Sequence, residues 1–600
     1  MLPRERKDDL LTDRKNESTV FTEKTYSSGF GGIRRLYNGA QNTCLDVQNL
    51  RLLPDGTLAG REGFSTLLDL TDAPRAVWSG SVMGEEEVYV LVGTSLLFAD
   101  LEAGTTSSAG TVTCAAGDAD IFWHGGDLYV LDGAALRRRS GGTLGAVSGY
   151  VPLWGDGWDP ALRGPVCEPI NYLSPHLRIR FRVSEAPGLF RVGIKLHSID
   201  RLVIDGADAD LADYSPEFTA GLDGITVSGF PADCEATFFL TPDASVMPVG
   251  PGLCTRAVSL GGPNDVRLCL YGGTNPSDVY FSRPVTEDGM AWSREVYSDS
   301  LPLYFPEDGR VTVGEGRHPV TAICRYRDRA LLFTAGDAWC LDWNGHENDP
   351  AVTLPQIHLV SAGIGCSVPG AAALCGDDPV TVFGGQIWRW HSPSGVRSEC
   401  TASCISEGLG DFAGTAAGLC TSVLALPARR EIWFSCPESS DGRVFVYNRE
   451  LDAWVTFTGV SADRLFLYGT DAGFLRGEEI CLFSPENTAD REWDQELAIP
   501  VSVSSPPLDF GDTARFKEAV EVEFNAAGNV PVELTLADDH YDADEPLTYG
   551  CAKVFTLTPS GCTGYAAAHV PTGRFRTLRF TLRAFAGPGF ALHGIRFRAR

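Results

Sequence analysis

Several common signatures are missing from this 600-residue sequence, and each absence argues against a class of protein. No run approaches the ~18 apolar residues of a transmembrane helix, so we expect no membrane-spanning segment. The first residues, MLPRERKDDLLTDRKNEST, are charged and contain no apolar core, so we expect no signal peptide. Helical periodicity is hard to find at any position, and only four Met occur. The sequence therefore favours an all-β protein.

Catalytic motifs are also missing. The sequence contains no P-loop, no strand-linked GxGxxG, no HExxH and no GxSxG elbow with a nearby His. One stretch, TEDGMAW at 286–292, comes close to the Asp box of sialidase-like propellers, but it lacks one residue between Asp and Gly. A glycosidase needs two facing carboxylates, which cannot be chosen from 78 acidic residues by sequence. We therefore expect no catalytic residue, no cofactor and no metal.

Basic residues are scarce relative to acidic ones. Lys and Arg number 49 against 78 Asp and Glu, which gives a net charge of −29 and a pI near 4.7. A surface that holds DNA phosphates by charge would be basic, so specific nucleic-acid binding is disfavoured. Two interpretations remain: an acidic wall along which DNA slides, or a charge that serves solubility alone.

Cysteine is plentiful but not arranged for metal binding. The 17 Cys include no CxxC, and the closest pair is Cys400 and Cys404, so neither a zinc site nor a disulfide scaffold is indicated. Most have apolar neighbours, as do Cys269, Cys324 and Cys340. We expect them to be small buried hydrophobic residues that stay reduced in a reducing cytoplasm.

The chain is instead rich in turns and short β-type runs. It contains 66 Gly and 36 Pro, and apolar runs paired across a Gly or Asp turn recur, as in VYVLVGTSLLFADL (88–101) and DLYVLDGAALRRRS (127–140). Spacings of roughly 35–65 residues, with about four strands per unit, are typical of propeller blades. Unrelated β-sandwiches are the alternative.

Two regions break this pattern. Cleaner alternation at 165–250 predicts an inserted sandwich, and strands such as AVEVEF and RTLRFTLRAF predict a second sandwich at the C-terminus. The predicted fold is thus all-β: an irregular β-propeller with an inserted β-sandwich and a C-terminal β-sandwich. The predicted boundaries are an N-terminal arm at 1–37, propeller parts at 38–164 and 251–483, the insert at 165–250, a linker at 484–496 and the C-terminal sandwich at 497–600.

Two acidic loops are candidate calcium sites, because alternating carboxylates suit a hard cation. Neither has EF-hand spacing, so solvated surface loops are the favoured interpretation. The carboxylates concerned are Asp205, Asp208, Asp210 and Asp213 in the first loop, and Asp538, Asp539, Asp542 and Asp544 in the second.

The segment NLRLLPDGTLAGREGF (49–64) reads as a hairpin that turns at Pro54-Asp55-Gly56, since Pro presets φ and Gly accepts a positive φ. Three charges, Arg51, Arg61 and Glu62, crowd around it. We expect these charges to fix the hairpin against neighbouring blades or subunits rather than to bind a ligand.

Four segments, taken in order, resemble bacteriophage tail propeller proteins. They are NTCLDVQNLRLLPDGTLAGREGFSTL (42–67), LPLYFPEDGRVTVGEGRHPVTAICRYRDRALLFTAGDAWCL (301–341), RVFVYNRELDAWVTFTG (443–459) and SSPPLDFGDTARFKEAVEVEF (504–524). The family includes the tail nozzle proteins of T7-like podoviruses (tail tubular protein B) and the packaged-DNA stabilisation proteins.

The resemblance implies a non-enzymatic virion protein of the tail or neck, made in the host cytoplasm. It implies a homo-oligomeric ring, with a hexamer among the expected orders, that contacts other tail or neck proteins and lets DNA pass without specific binding. On this interpretation carboxylates face the lumen and Arg-rich segments such as Arg137-Arg138-Arg139 lie at subunit or adaptor contacts. The alternatives are a tail-tip protein that binds host-surface glycans and, less favoured, a propeller glycan hydrolase.

Overall fold

The architecture is taken from a computed structural model of the full chain. It describes residues 22–25, 30–33, 43–147, 149–218, 223–247, 250–260, 267–283, 303–327, 329–342, 356–394, 399–409, 419–511, 514–517, 520–528, 530–538, 553–556, 564–570 and 575–599. The fold is almost entirely β, as the sequence predicts. The one α-helix among these residues, α1 (Leu211–Tyr214), has four residues, against the roughly 20 needed to cross a bilayer.

Seven groups of four antiparallel strands recur along the described parts of the chain, and we call each group a blade. Five blades are separate four-stranded sheets, and two are parts of a nine-stranded and a six-stranded sheet. Six blades are meanders of consecutive strands, and the seventh adds a strand from the N-terminal side of the chain. The first three blades are β6 (Ala76–Val82), β7 (Glu85–Val92), β8 (Ser95–Asp100) and β9 (Thr105–Thr111); β10 (Asp120–His124), β11 (Asp127–Leu131), β12 (Leu136–Ser140) and β13 (Thr143–Ala146); and β21 (Arg256–Leu260), β22 (Arg267–Tyr271), β23 (Asp278–Phe281) and β24 (Arg310–Thr312).

Blades 4 to 7 follow in the same order along the chain. They are β25 (Val320–Tyr326), β26 (Arg329–Thr334), β27 (Asp337–Asp342) and β28 (Gln356–Ala362); β29 (Ala372–Cys375), β30 (Asp378–Phe383), β31 (Gln386–His391) and β32 (Thr401–Cys404); β33 (Ser422–Leu426), β34 (Glu431–Cys436), β35 (Arg443–Asn448) and β36 (Ala453–Phe457); and β37 (Arg464–Tyr468), β38 (Asp471–Arg476) and β39 (Glu479–Phe483) with β5 (Phe64–Asp69).

The blades form a ring. The first strand of each blade contacts the first strand of the next, in the cyclic order β6, β10, β21, β25, β29, β33, β37 and back to β6. Blade 7 obtains its fourth strand from the N-terminal side of the chain, because β5 pairs with β39 and Phe64 lies opposite Phe483. This is the arrangement of a seven-bladed propeller in which one blade combines strands from both ends of the ring.

Burial explains why the blade strands are continuous runs of apolar residues and do not alternate between apolar and polar residues. Every residue of β34, EIWFSC, and of β35, RVFVYN, is buried, because neighbouring blades cover both faces of the sheet. Between blades 1 and 2 the rings of Trp78 and Trp123 stack with centroids 5.5 Å apart. The inter-blade packing therefore supplies most of the propeller core.

The insert lies between blades 2 and 3 and has its own core. Its larger sheet contains β14 (Leu153–Trp158), β15 (Leu177–Val183), β20 (Cys234–Pro242), β17 (Leu196–Ile204) and β18 (Ala207–Ala209), and its smaller sheet contains β16 (Leu189–Arg191) and β19 (Gly224–Thr226). Phe190 of the small sheet packs edge-on against Phe181 and Phe238 of the large one, at centroid distances of 4.9 and 4.8 Å. Two sheets thus share one aromatic core.

The C-terminal sandwich also has two sheets, and both include N-terminal strands. One contains β2 (Asp46–Gln48), β42 (Pro500–Ser504), β47 (Leu578–Phe585), β44 (Pro531–Asp538) and β45 (Lys553–Thr556); the other contains β3 (Leu50–Leu52), β4 (Leu58–Gly60), β48 (Ala591–Ala599), β43 (Val520–Ala527) and β46 (Gly564–Val570), with β1 (Thr22–Thr25) on β48. Phe580 and Phe597 stack between the sheets at 4.9 Å.

Three boundaries differ from those drawn on the sequence. The hairpin β3–β4, assigned to the propeller, pairs with β48 of the C-terminal sandwich, with Leu58 opposite Leu592. The sheet of the insert begins at Leu153, twelve residues before 165. The segment 484–496, expected as a linker, contains β40 (Asp490–Glu492) and β41 (Gln495–Leu497), and β40 pairs with β5. For β4 and β40 the pairing partner lies more than 400 residues away, so no local pattern could reveal it.

The backbones at the junction of hairpin, propeller and sandwich are packed too closely for a side chain at Gly63. A Cβ there would overlap the carbonyl oxygen of Ala489, and the Gly63 N–H donates to Asn487 O at 2.9 Å. We therefore expect Gly63→Ala to destabilise the protein by about 2 kcal/mol or more, because backbone must move to admit the methyl group.

Gly145→Ala is the matched control, since Gly145 lies in a strand and no atom lies within 4 Å of the position that an added methyl group would take. Thermal unfolding followed by intrinsic fluorescence compares the two variants with the wild type. Equal melting temperatures for all three proteins would contradict the close backbone approach at Gly63.

Candidate functional site

Arg61 is the most deeply buried charge of the hairpin, with no exposed surface. Its Nη1 and Nη2 donate to the two carboxylate oxygens of Asp490 at 2.8 and 2.7 Å, and its Nε donates to Asn49 Oδ1 at 2.9 Å. The guanidinium carbon also lies 5.8 Å from the ring centroids of Phe457 and Phe483. Such a bidentate, fully desolvated pair fixes geometry strongly.

The other two charges of the hairpin extend this network to the propeller. Arg51 donates to Glu62 Oε1 at 2.6 Å and to Glu431 Oε1 at 2.8 Å, while Arg429 lies 3.3 Å from Glu62. Arg429 also pairs with Asp471 of blade 7. Burial acts to lower the pKa of Arg51, but Glu431 and Glu62 outweigh it, so the pKa is raised.

These contacts confirm the prediction for the hairpin. Arg51, Arg61 and Glu62 fix it against blades 6 and 7 within one chain, through Glu431, Arg429 and Asp490. The sequence showed which charges were unusual. It did not show their partners on the propeller side, which lie 367 to 429 residues away.

A second charge cluster, which sequence reasoning missed, lies at one end of the ring formed by the first strands of the blades, and we call this end the mouth. Asp120, Arg256 and Arg464 are the first residues of the innermost strands β10, β21 and β37. Because innermost strands run in the same direction around the ring, their first residues meet at the same end. The only sequence signal is a charge that opens an otherwise apolar strand, as in DIFWH, RAVSL and RLFLY.

Asp120 links two blades across this mouth. Its Oδ2 accepts a hydrogen bond from the Ala257 N–H of blade 3 at 2.9 Å. Burial raises the pKa of Asp120 from 3.8 to about 6, although the Ala257 hydrogen bond, Arg256 and Arg464 act in the opposite direction. Burial thus keeps this carboxyl group protonated to a higher pH than an exposed aspartate.

The two arginines of the mouth differ in their partners. Arg256 Nη2 donates to Asp118 Oδ2 at 3.3 Å. The Arg464 side chain makes no hydrogen bond or ion pair within the part of the chain that the structure describes, and burial together with the nearby Arg256 lowers its pKa. The arrangement therefore offers one guanidinium with unused donors, a group suited to a single carboxylate or phosphate.

The other residues singled out by sequence are engaged in local contacts. Asp208 accepts from Arg201 Nε at 2.5 Å, Asp210 caps α1 through the Ala212 N–H, and Asp205 accepts from the Glu235 N–H. Across the described ranges, no group of three or more His, Cys, Asp or Glu is arranged to hold a metal ion. Asp538 ends β44, whereas Asp539, Asp542, Asp544 and the segment 286–292 lie outside the described residues.

The Arg137-Arg138-Arg139 segment forms β12 and is held within the chain. Arg138 pairs with Asp127 at 2.5 Å, Arg137 donates to Thr113 Oγ1 at 2.8 Å, and the Arg139 guanidinium lies 5.3 Å from the Tyr89 ring centroid. Eleven of the fifteen described cysteines are buried, and burial raises the pKa of Cys44 to about 12 and that of Cys366 to about 11.

Comparisons with known proteins add little to this picture. No family model and no curated protein matches the sequence. Solved structures share only distant similarity: PorZ, a surface component of the type-IX secretion system of Porphyromonas gingivalis, has 10% identity and a TM-score of 0.32, over 86% of this chain and 48% of PorZ. The present chain thus spans about half of PorZ.

Two further structures are similarly remote. A chain of the mitotic checkpoint complex has 10% identity and a TM-score of 0.31, over 75% of this chain and 97% of its own length. The extracellular domain of the putative hybrid two component system BT4673 from B. thetaiotaomicron has 8% identity and a TM-score of 0.26, over 91% and 63%. At these scores the similarities carry no argument about function.

The buried Arg61–Asp490 pair yields a stability prediction. Arg61→Ala should destabilise the protein by about 3–5 kcal/mol, because it leaves the Asp490 carboxylate without its partner. Arg317→Ala is the control: Arg317 pairs with Glu315, but the two side chains are 74% and 79% exposed, so the change should be below ~1 kcal/mol. Urea denaturation measures both, and similar losses for the two variants would contradict the special role of the buried pair.

Asp120 yields a pH prediction. Its raised pKa means that the folded state binds the proton more tightly than the unfolded state between about pH 4 and pH 6. The stability contributed by this proton is present below pH 4 and is lost as the pH rises through 6. Asp120→Asn keeps an acceptor for the Ala257 N–H but does not titrate. Its free energy of unfolding should therefore equal that of the wild type near pH 4 and exceed it by about 1–2 kcal/mol at pH 7.5.

Melting temperatures at the two pH values provide the measurement. Asp118→Asn removes a carboxylate from the same mouth, where its side chain is 61% exposed, and serves as the control. The same pH trend in both variants would assign the effect to net charge rather than to the buried position of Asp120.

Proposed function

We propose that this protein is a structural component of a bacteriophage tail or neck, assembled as a homo-oligomeric ring through which DNA passes. The observation that carries the proposal concerns three of the segments that resemble phage tail propellers, 42–67, 443–459 and 504–524. The first is separated from the other two by more than 370 residues of sequence, yet all three belong to one joint between propeller and sandwich.

The pairing of β2 supports this interpretation. β2, from the first segment, pairs with β36 of the second, where Gln48 lies opposite Thr456, and with β42, where Asp46 lies opposite Ser504 at the start of the third. Asn49 adds a hydrogen bond to Thr458 Oγ1 at 2.8 Å. The segments that resemble the family therefore coincide with one structural unit, as a shared architecture requires.

Charge supports passage of DNA without retention. The net charge is −29, and Arg51, Arg61 and Arg138 are paired with carboxylates of the same chain. An arginine that is paired with a carboxylate is not free to bind a phosphate. Fewer phosphate contacts release fewer counterions, so binding of DNA is weaker. On this proposal the protein performs no catalysis, needs no cofactor, contacts other tail or neck proteins and resides in the virion after synthesis in the host cytoplasm.

The proposal predicts a defined ring. Purified full-length protein, alone or with the neighbouring tail adaptor, should give a single discrete oligomer by mass photometry, with six copies as one expected order. Negative-stain images of that species should show a central opening. A chain that stays monomeric at every concentration, with and without the adaptor, would contradict the ring.

Binding of a DNA duplex to the same sample tests the conduit separately. We expect only weak binding, with a Kd of about 10⁻⁴ M or weaker at physiological salt, because few free cations face the phosphates. A ring that binds DNA tightly and loses it steeply with salt would contradict free passage while leaving the oligomer intact.

A further inference from the structure

A groove with a mixed polar and apolar lining lies on the outer face of the sheet formed by β2, β42, β47 and β44. Its volume is about 570 Å³, and its lining comes from all four strands. Side chains that point away from the core alternate with buried ones: Val501 and Val503 are buried, whereas Ser502 and Ser504 face outward. The groove is therefore a sheet face and not an opening between blades.

Strand register places its polar groups in one row across the sheet. Gln48 lies opposite Ser502, Ser502 opposite Arg583, and Arg583 opposite Glu533. The row thus offers an amide, a hydroxyl, a guanidinium and a carboxylate side by side, which together can donate and accept hydrogen bonds.

Some polar groups of this face bond to each other: Gln48 Nε2 donates to Asp46 Oδ2 at 2.6 Å, and the hydroxyl oxygens of Ser504 and Thr581 lie 3.3 Å apart. The two charged side chains of the row are different. Glu533 and Arg583 are cross-strand neighbours, yet neither side chain makes a hydrogen bond or ion pair within the described parts of the chain. On the outer face of the opposite sheet, by contrast, Arg596 and Arg598 pair with Glu523 at 3.2 and 3.4 Å. The groove face thus keeps donors and acceptors that the opposite face uses internally.

An aromatic ring stands at one end of the row. Phe585 is 67% exposed, which is unusual for Phe, and it lies opposite Pro500 on β42. Both residues line the groove. An exposed ring beside a polar row gives a ligand one apolar face to stack on and several partners for its edges.

This combination identifies the class of ligand. The lining carries two carboxylates, Asp46 and Glu533, against one guanidinium, Arg583, on a chain of net charge −29, so polyanions such as DNA are disfavoured. A flat aromatic surface with mixed donors and acceptors suits a molecule that has an apolar ring face and many hydroxyl groups. Neutral sugars have both.

We propose that this groove binds a neutral polysaccharide chain, with Phe585 stacking on a sugar ring while Gln48, Arg583 and Glu533 hydrogen-bond its hydroxyls. The site goes beyond the structural role proposed above and does not depend on ring assembly. It would give a tail protein a contact with carbohydrate at the surface of a cell.

The probe is an array of neutral microbial polysaccharides, with alginate as an acidic polysaccharide and a DNA duplex as a nucleic acid, all presented to the full-length protein. We expect binding to at least one neutral polysaccharide and to neither polyanion. Phe585→Ala should weaken that binding by about tenfold, and Arg583→Ala should weaken it as well.

Phe516→Ala is the matched control, because Phe516 is 51% exposed in the same domain but lies under Arg576 and outside the groove. It should bind like the wild type, and all three variants should keep the wild-type melting temperature. Three outcomes would overturn the proposal: no binding to any neutral polysaccharide, binding of polyanions alone, or equal losses of polysaccharide binding for Phe585→Ala and Phe516→Ala. The proposal would also be overturned if Phe585→Ala dissociated an oligomer and left polysaccharide binding unchanged. That result would show that the groove face is an interface between copies of the chain.

Discussion

The ion pair between Arg61 and Asp490 fixes the point at which three parts of the chain meet. Burying two charges costs several kcal/mol per ion, and this cost is offset only when the geometry is good and the remaining hydrogen bonds are made. Here both carboxylate oxygens accept from Arg61, and Asn49 occupies the remaining Nε. Because Arg61 follows β4 and Asp490 begins β40, the pair holds the hairpin against the chain that leaves blade 7.

Asn49 shows how completely this joint is satisfied. It is fully buried, its amide nitrogen donates to Thr458 Oγ1 and Pro500 O, and its amide oxygen accepts from Arg61 and from the Thr458 N–H. A single side chain thus connects the hairpin, blade 6 and the C-terminal sandwich. The joint also explains why blade 6 and one sandwich sheet form a continuous nine-stranded sheet, since β2 lies between β36 and β42.

Polar groups in this protein fall into two kinds. At the joint most of them are buried and bonded to one another, although Glu62 Oε2 and Arg429 Nη1 are buried without a hydrogen bond. Such a network gives specificity of assembly at little net gain in stability. At the channel mouth and in the groove of the sandwich, Arg464, Arg583 and Glu533 keep donors and acceptors that the described chain does not use. Groups of the first kind hold the architecture together, and groups of the second kind are where a ligand can add interactions.

The sequence alone determined the class of fold, because its signal is local. Paired apolar runs around Gly turns predicted blade hairpins, and the alternation in RTLRFTLRAF predicted a sandwich strand with one outward face; both features are in the structure. The structural role of Arg51, Arg61 and Glu62 also followed from their crowding around an ordinary turn.

Pairing between distant segments had no such local signal in the sequence. The hairpin at 50–60 resembles a blade hairpin, and only tertiary structure joins it to β48, more than 530 residues away. Likewise, Gln48, Ser502, Arg583 and Glu533 become a row only because the register of four strands aligns them. No short turn joins these strands, so no local geometry fixes that register.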